Sequence, residues 1–196
     1  MSKLKILVVI GSTRPTRFAD KPALWLLDFL SKDERIDAEL VDLRDFPLPL
    51  FDQPKAPMRV TDGEYGHPVA NQWAAKIASA DGFVMLAAEY NHGYTAALKN
   101  ALDWIYKEWV RKPVSFLGYG NVGGARAIEQ LRQVVIELQM VPLKFAVHVP
   151  GQLYLAIMKE TAPVDPAHFA PAEAAASAMR DDLVWWASAL RAARNS

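Results

Sequence analysis

The sequence has no cysteine. Disulfides, thiolate metal ligands and a thiol nucleophile are therefore excluded, and a reducing compartment is compatible. It also lacks an excess of either charge: Lys plus Arg number 22, Asp plus Glu 22, and neither sign forms a long run. Polyanions and anionic membranes select basic patches, so no nucleic acid and no membrane is expected as a partner. Histidine is sparse, at His67, His92, His148 and His168, with no i, i+4 pair, and no metal site is expected. Long hydrophobic runs are missing too. The apolar core of "MSKLKILVVIGS", Ile6 to Ile10, is shorter than a signal peptide's and far short of a membrane span, so it reads as a first buried strand of a cytoplasmic protein.

What is present fits one α/β domain of 196 residues, long enough to bury roughly 70% of its unfolded surface. Apolar runs of strand length occur at Leu4 to Ile10, Phe83 to Ala87, Val114 to Leu117 and Phe145 to Val149, with a weaker alternating run at Ala38 to Val41. Helical stripes lie between and after them: Val69, Trp73 and Ile77; Leu98, Leu102 and Ile105; Ile128, Leu131, Val135 and Leu138; Met179, Leu183, Trp186 and Leu190. Strands apolar on both faces, alternating with helices, predict a five-stranded parallel sheet covered on two sides, a doubly wound three-layer sandwich. Asp20 and Thr95 are expected helix caps, and Pro171 is expected at the start of the last helix. The stretch from Leu43 to Pro68 carries five of the thirteen prolines and no helical stripe. It is expected to be an ordered loop near a site rim or a subunit contact.

In such sheets ligands bind outside the carboxyl ends of the strands. The loop after the first strand, "GSTRPTRF", sets hydroxyls and two arginines before a helix. Backbone N–H groups, short hydroxyls and fixed positive charge at a helix N-terminus suit a phosphate monoester, as they also suit an ordinary polar turn. It is not a Walker loop, since no G-K-[ST] ends it. After the third strand, Glu89, Tyr90 and Asn91 offer an acceptor, an aromatic face and an amide before Gly93 relaxes the backbone. "GYGNVGGAR", after the fourth strand, contains G-x-G-x-x-G, but in the wrong βα unit for a dinucleotide fingerprint and with no acidic residue after the next strand. Its four glycines permit close approach of a flat ligand. Trp104, Tyr106 and Trp109 present more aromatic surface than one core stripe accounts for, which predicts an interface.

Taken together, "GSTRPTRF", "EYNHGYTAALKNALDWIYKEW" and "GYGNVGGARAIEQLRQV" resemble the NAD(P)H-dependent FMN reductase family, with its quinone reductase and azoreductase members, over about Leu4 to Val149. The resemblance implies a single flavodoxin-like FMN-binding domain over residues 1–196, with strand order 2-1-3-4-5. It further implies hydride transfer from NAD(P)H through bound FMN to a small-molecule acceptor such as a quinone, azo compound or flavin. By the same resemblance Gly11, Ser12, Thr13, Arg14, Arg17, Phe18 and Ala19 surround the phosphate. Ala88, Glu89, Tyr90 and Asn91 line the ribityl chain and ring, and Tyr119, Gly120, Asn121, Gly123 and Gly124 border the ring from the other side. The chemistry belongs to the flavin, so no catalytic side chain is implied. A homodimer or homotetramer through the helix around Trp104 and Trp109 is implied as well. The family usually has Pro where this chain has Ala88, and often where it has Thr95. A flavodoxin-like electron carrier or redox sensor that binds FMN without turnover stays open, as does a nucleotide-binding α/β domain using the Gly118 loop.

Overall fold

The structure is a computed structural model that describes residues 2–160 and 164–196. Strands β1 (Leu4–Ile10), β2 (Ile36–Asp42), β3 (Gly82–Ala88), β4 (Pro113–Tyr119) and β5 (Val141–Pro142) form a parallel sheet in the order β2-β1-β3-β4-β5. A further short strand, β6 (Val147–Val149), also pairs with β4. Register sets Leu4 opposite Ile36, Ile6 opposite Gly82 and Phe83 opposite Val114.

Successive side chains of a strand point to opposite faces, so the fully apolar strands feed two cores at once. On one face Leu7, Val9, Phe83 and Met85 pack with α2 (Pro68–Ala78), α3 (Ala96–Asp103) and α4 (Ala125–Glu137). On the other, Ile6, Val8, Ile10, Val84 and Leu86 meet α1 (Asp20–Ser31), α5 (Gly151–Met158) and α6 (Glu173–Arg194). This is the flavodoxin-like three-layer sandwich that the alternation of strand and helix predicts.

Three local expectations need correction. Asp20 is the first residue of α1 instead of its cap, because its carboxylate is taken by Arg17. The fifth strand is interrupted: Pro142 lacks an N–H for the ladder, and the chain between β5 and β6 turns its carbonyls to side chains instead. Arg132 donates to the oxygens of Leu143 and Lys144, and Ser115 Oγ donates to that of Phe145. Helix α5 has no counterpart in the sequence reading, and Pro171 lies within a 3₁₀ segment, Pro166–Ala172, that leads into α6.

The proline-rich stretch is ordered, and it overturns the reading of the aromatics. Its carbonyls at Leu48 and Pro49 accept from Asn100 Nδ2, Asn100 Oδ1 accepts from Phe51 N at 2.9 Å, and Trp104 Nε1 donates to Pro49 O at 2.7 Å. The loop thereby roofs α3. Trp104 and Trp109 are fully buried, Trp109 against Trp73 and Phe83. With no surface of their own, these indoles are core, and neither can form the subunit contact expected of it.

Candidate functional site

A cleft of about 410 Å³ opens at the carboxyl ends of the strands, lined by the loops after β1, β3 and β4 and by α5. That size lies within the usual range for small-molecule sites.

The first wall is the loop after β1. A Cβ on Gly11 would meet Leu86 O at 2.6 Å, so only glycine lets the chain leave the sheet here. Ser12 Oγ lies 2.9 Å from Tyr90 Oη, tying this loop to the one after β3. Arg17 is almost fully buried: it donates to Ser12 O at 2.7 Å, to Asp42 Oδ1 at 2.6 Å and to Asp20 Oδ1 at 2.8 Å. Burial works against its charge, but Asp42 and Asp20 outweigh that and hold the guanidinium above its ordinary range. Burial likewise favours the protonated form of Asp42, yet Arg17 and Arg44 keep its carboxyl well below the usual carboxylate range. Arg17 is thus a neutralised clamp between α1 and the end of β2. Arg14 differs: it is exposed, it forms no ion pair among the described residues, and its guanidinium stands 5.9 Å over the ring of Tyr90.

The second wall turns after Ala88, at the end of β3. Tyr90 and Gly93 exchange backbone hydrogen bonds of 2.8 and 3.0 Å around Asn91 and His92, whose φ values are 50° and 69°. Two consecutive left-handed residues make this a tight hairpin, so Asn91 and His92 carry the unusual backbone that Gly93 was expected to provide. Glu89 accepts from Arg126 Nε at 2.5 Å and from the Arg126 backbone N–H at 3.3 Å, at the start of α4. Arg126 Nη1 in turn donates to His92 Nε2 at 2.7 Å. Glu89 is therefore a lock between two walls.

The third wall begins at Tyr119. Its hydroxyl is buried and has no hydrogen-bond partner among the described residues. Burial pushes the phenol above its ordinary range, so it remains a proton donor. Gly120, with φ 140°, lines the cleft beside Glu89. Gly118 and Gly124 serve a different purpose: a Cβ on Gly124 would sit 2.7 Å from the Gly118 Cα, so these glycines let the loop pack on itself.

Of the residues predicted from the sequence, Arg14, Arg17, Phe18, Ala88, Glu89, Tyr90, Tyr119 and Gly120 line the cleft. Gly11, Ser12, Ala19, Asn91, Asn121, Gly123 and Gly124 are not among its lining residues, and Thr13 faces a neighbouring cavity with Arg44, Phe46 and Asn100. Thr16, one of the hydroxyls of "GSTRPTRF", lines it too, and three lining residues escaped the sequence reading: Lys21, Tyr154 and Met158. Tyr154 packs 4.6 Å from Phe18, which itself lies 5.2 Å from Tyr119. One signal for Lys21 was legible, a cation in a first helical turn, where the helix dipole disfavours it.

The arrangement of an unpaired arginine, an unpartnered buried hydroxyl and a glycine-lined wall fits a ligand that bears phosphate and a flat ring. Residues 4–153 match the family described as NADPH-dependent FMN reductase. An NAD(P)H-dependent FMN reductase of Schizosaccharomyces pombe is 39% identical over 148 residues, covering 74% of each chain. A 2-hydroxy-1,4-benzoquinone reductase of a Burkholderia species is 35% identical over 146 residues, covering 70% of this chain and 73% of that one. Among solved structures, FerB, a flavoenzyme NAD(P)H:(acceptor) oxidoreductase from Paracoccus denitrificans, superposes with a TM-score of 0.68 at 21% identity, covering 94% and 97% of the two chains, and so shares the fold. The chain thus belongs to the NADPH-dependent FMN reductase family, and it is a flavin-dependent oxidoreductase with FMN as cofactor and NAD(P)H as electron donor.

Proposed function

We propose that the cleft holds FMN with its phosphate at the loop after β1, and that the protein passes hydride from NAD(P)H through the flavin to a quinone, azo compound, free flavin or similar small acceptor. Charge and hydrogen bonding carry the reading: Arg14 stands uncompensated in the same cleft as the unpartnered hydroxyl of Tyr119. A phosphate-bearing cofactor answers both, since a guanidinium gains a charge-assisted contact and the buried hydroxyl gains an acceptor. The name of the Burkholderia relative supports a quinone as the acceptor class.

Bound FMN would supply the hydride-transfer chemistry between nicotinamide and acceptor. The chain's own residues bind and orient. In this reading Ser12 and Arg14, with backbone from Thr13, Phe18 and Ala19, hold the phosphate end, and Arg17 acts by clamping their loop through Asp20 and Asp42. The Glu89–Arg126 pair keeps the walls after β3 and β4 in register. Tyr90, Asn91, Tyr119 and Gly120 then flank the ring, and no side-chain acid or base is assigned. Purified protein should show flavin absorption, release FMN on denaturation and oxidise NADPH in the presence of benzoquinone. A colourless protein that neither takes up FMN nor supports quinone-dependent oxidation overturns the proposal.

A further inference from the structure

Lys21 is the second residue of α1, and its side chain lines the cleft beside Arg14, Thr16 and Arg17. The N-terminus of a helix bears partial positive charge, so a cation there is disfavoured unless an anion joins it. Neither Lys21 nor Arg14 forms an ion pair with a carboxylate among the described residues, whereas Arg17 is held by Asp20 and Asp42. One side of the cleft therefore gathers two uncompensated cations at the positive end of α1.

Lys21 has a second attachment. Its Nζ donates to Ile157 O at 2.8 Å and to Met158 O at 2.9 Å, two last-turn carbonyls of α5, of which Ile157 O also accepts from the Glu160 N–H at 3.1 Å. An ammonium carries three N–H groups, so these bonds leave one for the cleft. The same helix supplies Tyr154 and Met158 to the cleft wall, with the Tyr154 ring on Phe18. Ile157 and Met158 lie beyond the residues matched by the family, so Lys21 joins the shared fold to a wall outside that match.

We propose that Lys21 is a second cation for the cofactor phosphate, and that its grip on Ile157 and Met158 couples phosphate binding to the docking of α5 as the cleft's outer wall. The inference rests on the reading of the cleft as an FMN site. Riboflavin, which lacks the phosphate, separates the two claims. Flavin-stripped parent, Lys21→Met, Lys21→Gln and Lys21→Arg proteins are titrated with FMN and with riboflavin, and hydrogen exchange of residues 151–158 is followed with and without FMN. Lys21→Gln retains donors for the carbonyls without the charge, and so serves if Lys21→Met does not fold. FMN affinity should fall about tenfold in Lys21→Met and Lys21→Gln, the size of one charge-assisted contact, with riboflavin affinity changed less than about twofold. Lys21→Arg should restore most of the loss. FMN should slow exchange in α5 of the parent and not of Lys21→Met. Equal losses for FMN and riboflavin, or unchanged FMN affinity, overturn the phosphate role; exchange in α5 that ignores FMN in the parent overturns the coupling. A parent that binds neither flavin overturns the reading of the cleft, and the inference with it.

Discussion

Thr95 Oγ1 donates a hydrogen bond to the carbonyl oxygen of Gly11, while accepting another from the Leu98 N–H at 3.1 Å. One hydroxyl thereby caps α3 and holds the loop after β1, two elements 84 positions apart in the chain. Proline, frequent at this position in the resembled family, supplies neither bond.

Thr95→Ala should destabilise the protein by about 2 to 4 kcal/mol. The lost cap contributes roughly 1 kcal/mol, and a buried carbonyl left without its donor contributes roughly 1 to 3 kcal/mol. Urea unfolding measures the sum. Thr95→Ser, which retains the hydroxyl, should recover most of it, and a Thr95→Pro protein should resemble Thr95→Ala. Parental stability in Thr95→Ala would show that water replaces the hydroxyl without cost.

Tyr119 should behave oppositely with and without cofactor. Its buried hydroxyl lacks a partner among the described residues, a situation that costs roughly 1 to 3 kcal/mol. Tyr119→Phe should therefore leave the flavin-free protein as stable as the parent or more so by thermal melt. The same change should weaken FMN binding about fivefold to tenfold, near the roughly 1 kcal/mol net value of one hydrogen bond. Loss of stability without loss of FMN affinity would assign the hydroxyl to the fold.

The three central strands were legible because each is apolar on both faces, and the stripe of α4 because Ile128, Leu131, Val135 and Leu138 are all buried as its period requires. The cleft was legible only where its residues adjoin strand ends. Arg17 looked like an open phosphate contact because one of its two neutralising partners, Asp42, lies 25 positions downstream and meets it through the β1–β2 pairing, while the nearby Asp20 read as a helix cap. Helix α5 was hidden because "GQLYLAIM" is apolar all round, burying Ile157 while leaving Leu155 and Met158 exposed. A segment without a polar face shows no helical period. The burial of Trp104 depended on a loop's path and that of Trp109 on distant partners, Trp73 and Phe83, neither of which a local pattern encodes.

That burial makes Trp109 a test of core against interface. Trp109→Ala should cost about 3 to 5 kcal/mol, the usual range for truncating a buried tryptophan. Trp109→Phe should cost much less, since the indole N–H it deletes has no partner among the described residues. Thermal melts give the stabilities, and sizing at one fixed concentration gives the oligomeric state. A shift in association with unchanged unfolding would restore the interface reading.

Lys112 sets a pH dependence at the opposite end of the sheet. It is 6% exposed, yet its Nζ donates to Ile77 O at 2.8 Å and Ala78 O at 3.0 Å, capping the end of α2. Burial lowers its pKa to about 8, against about 10.4 for an unfolded lysine. Between those values the unfolded chain binds more protons than the folded one, so stability from this site rises with pH. Below pH 8 the full cost of burying the charge is present, and it is relieved as pH climbs toward about 10.4. At roughly 1.4 kcal/mol per pH unit the swing is on the order of 3 kcal/mol. Urea unfolding of the parent and of Lys112→Met from pH 7 to pH 10 isolates the term as a difference. Relative to Lys112→Met, the parent should gain stability across that range, and a flat or falling difference would show that the two helix carbonyls hold the ammonium at its ordinary value.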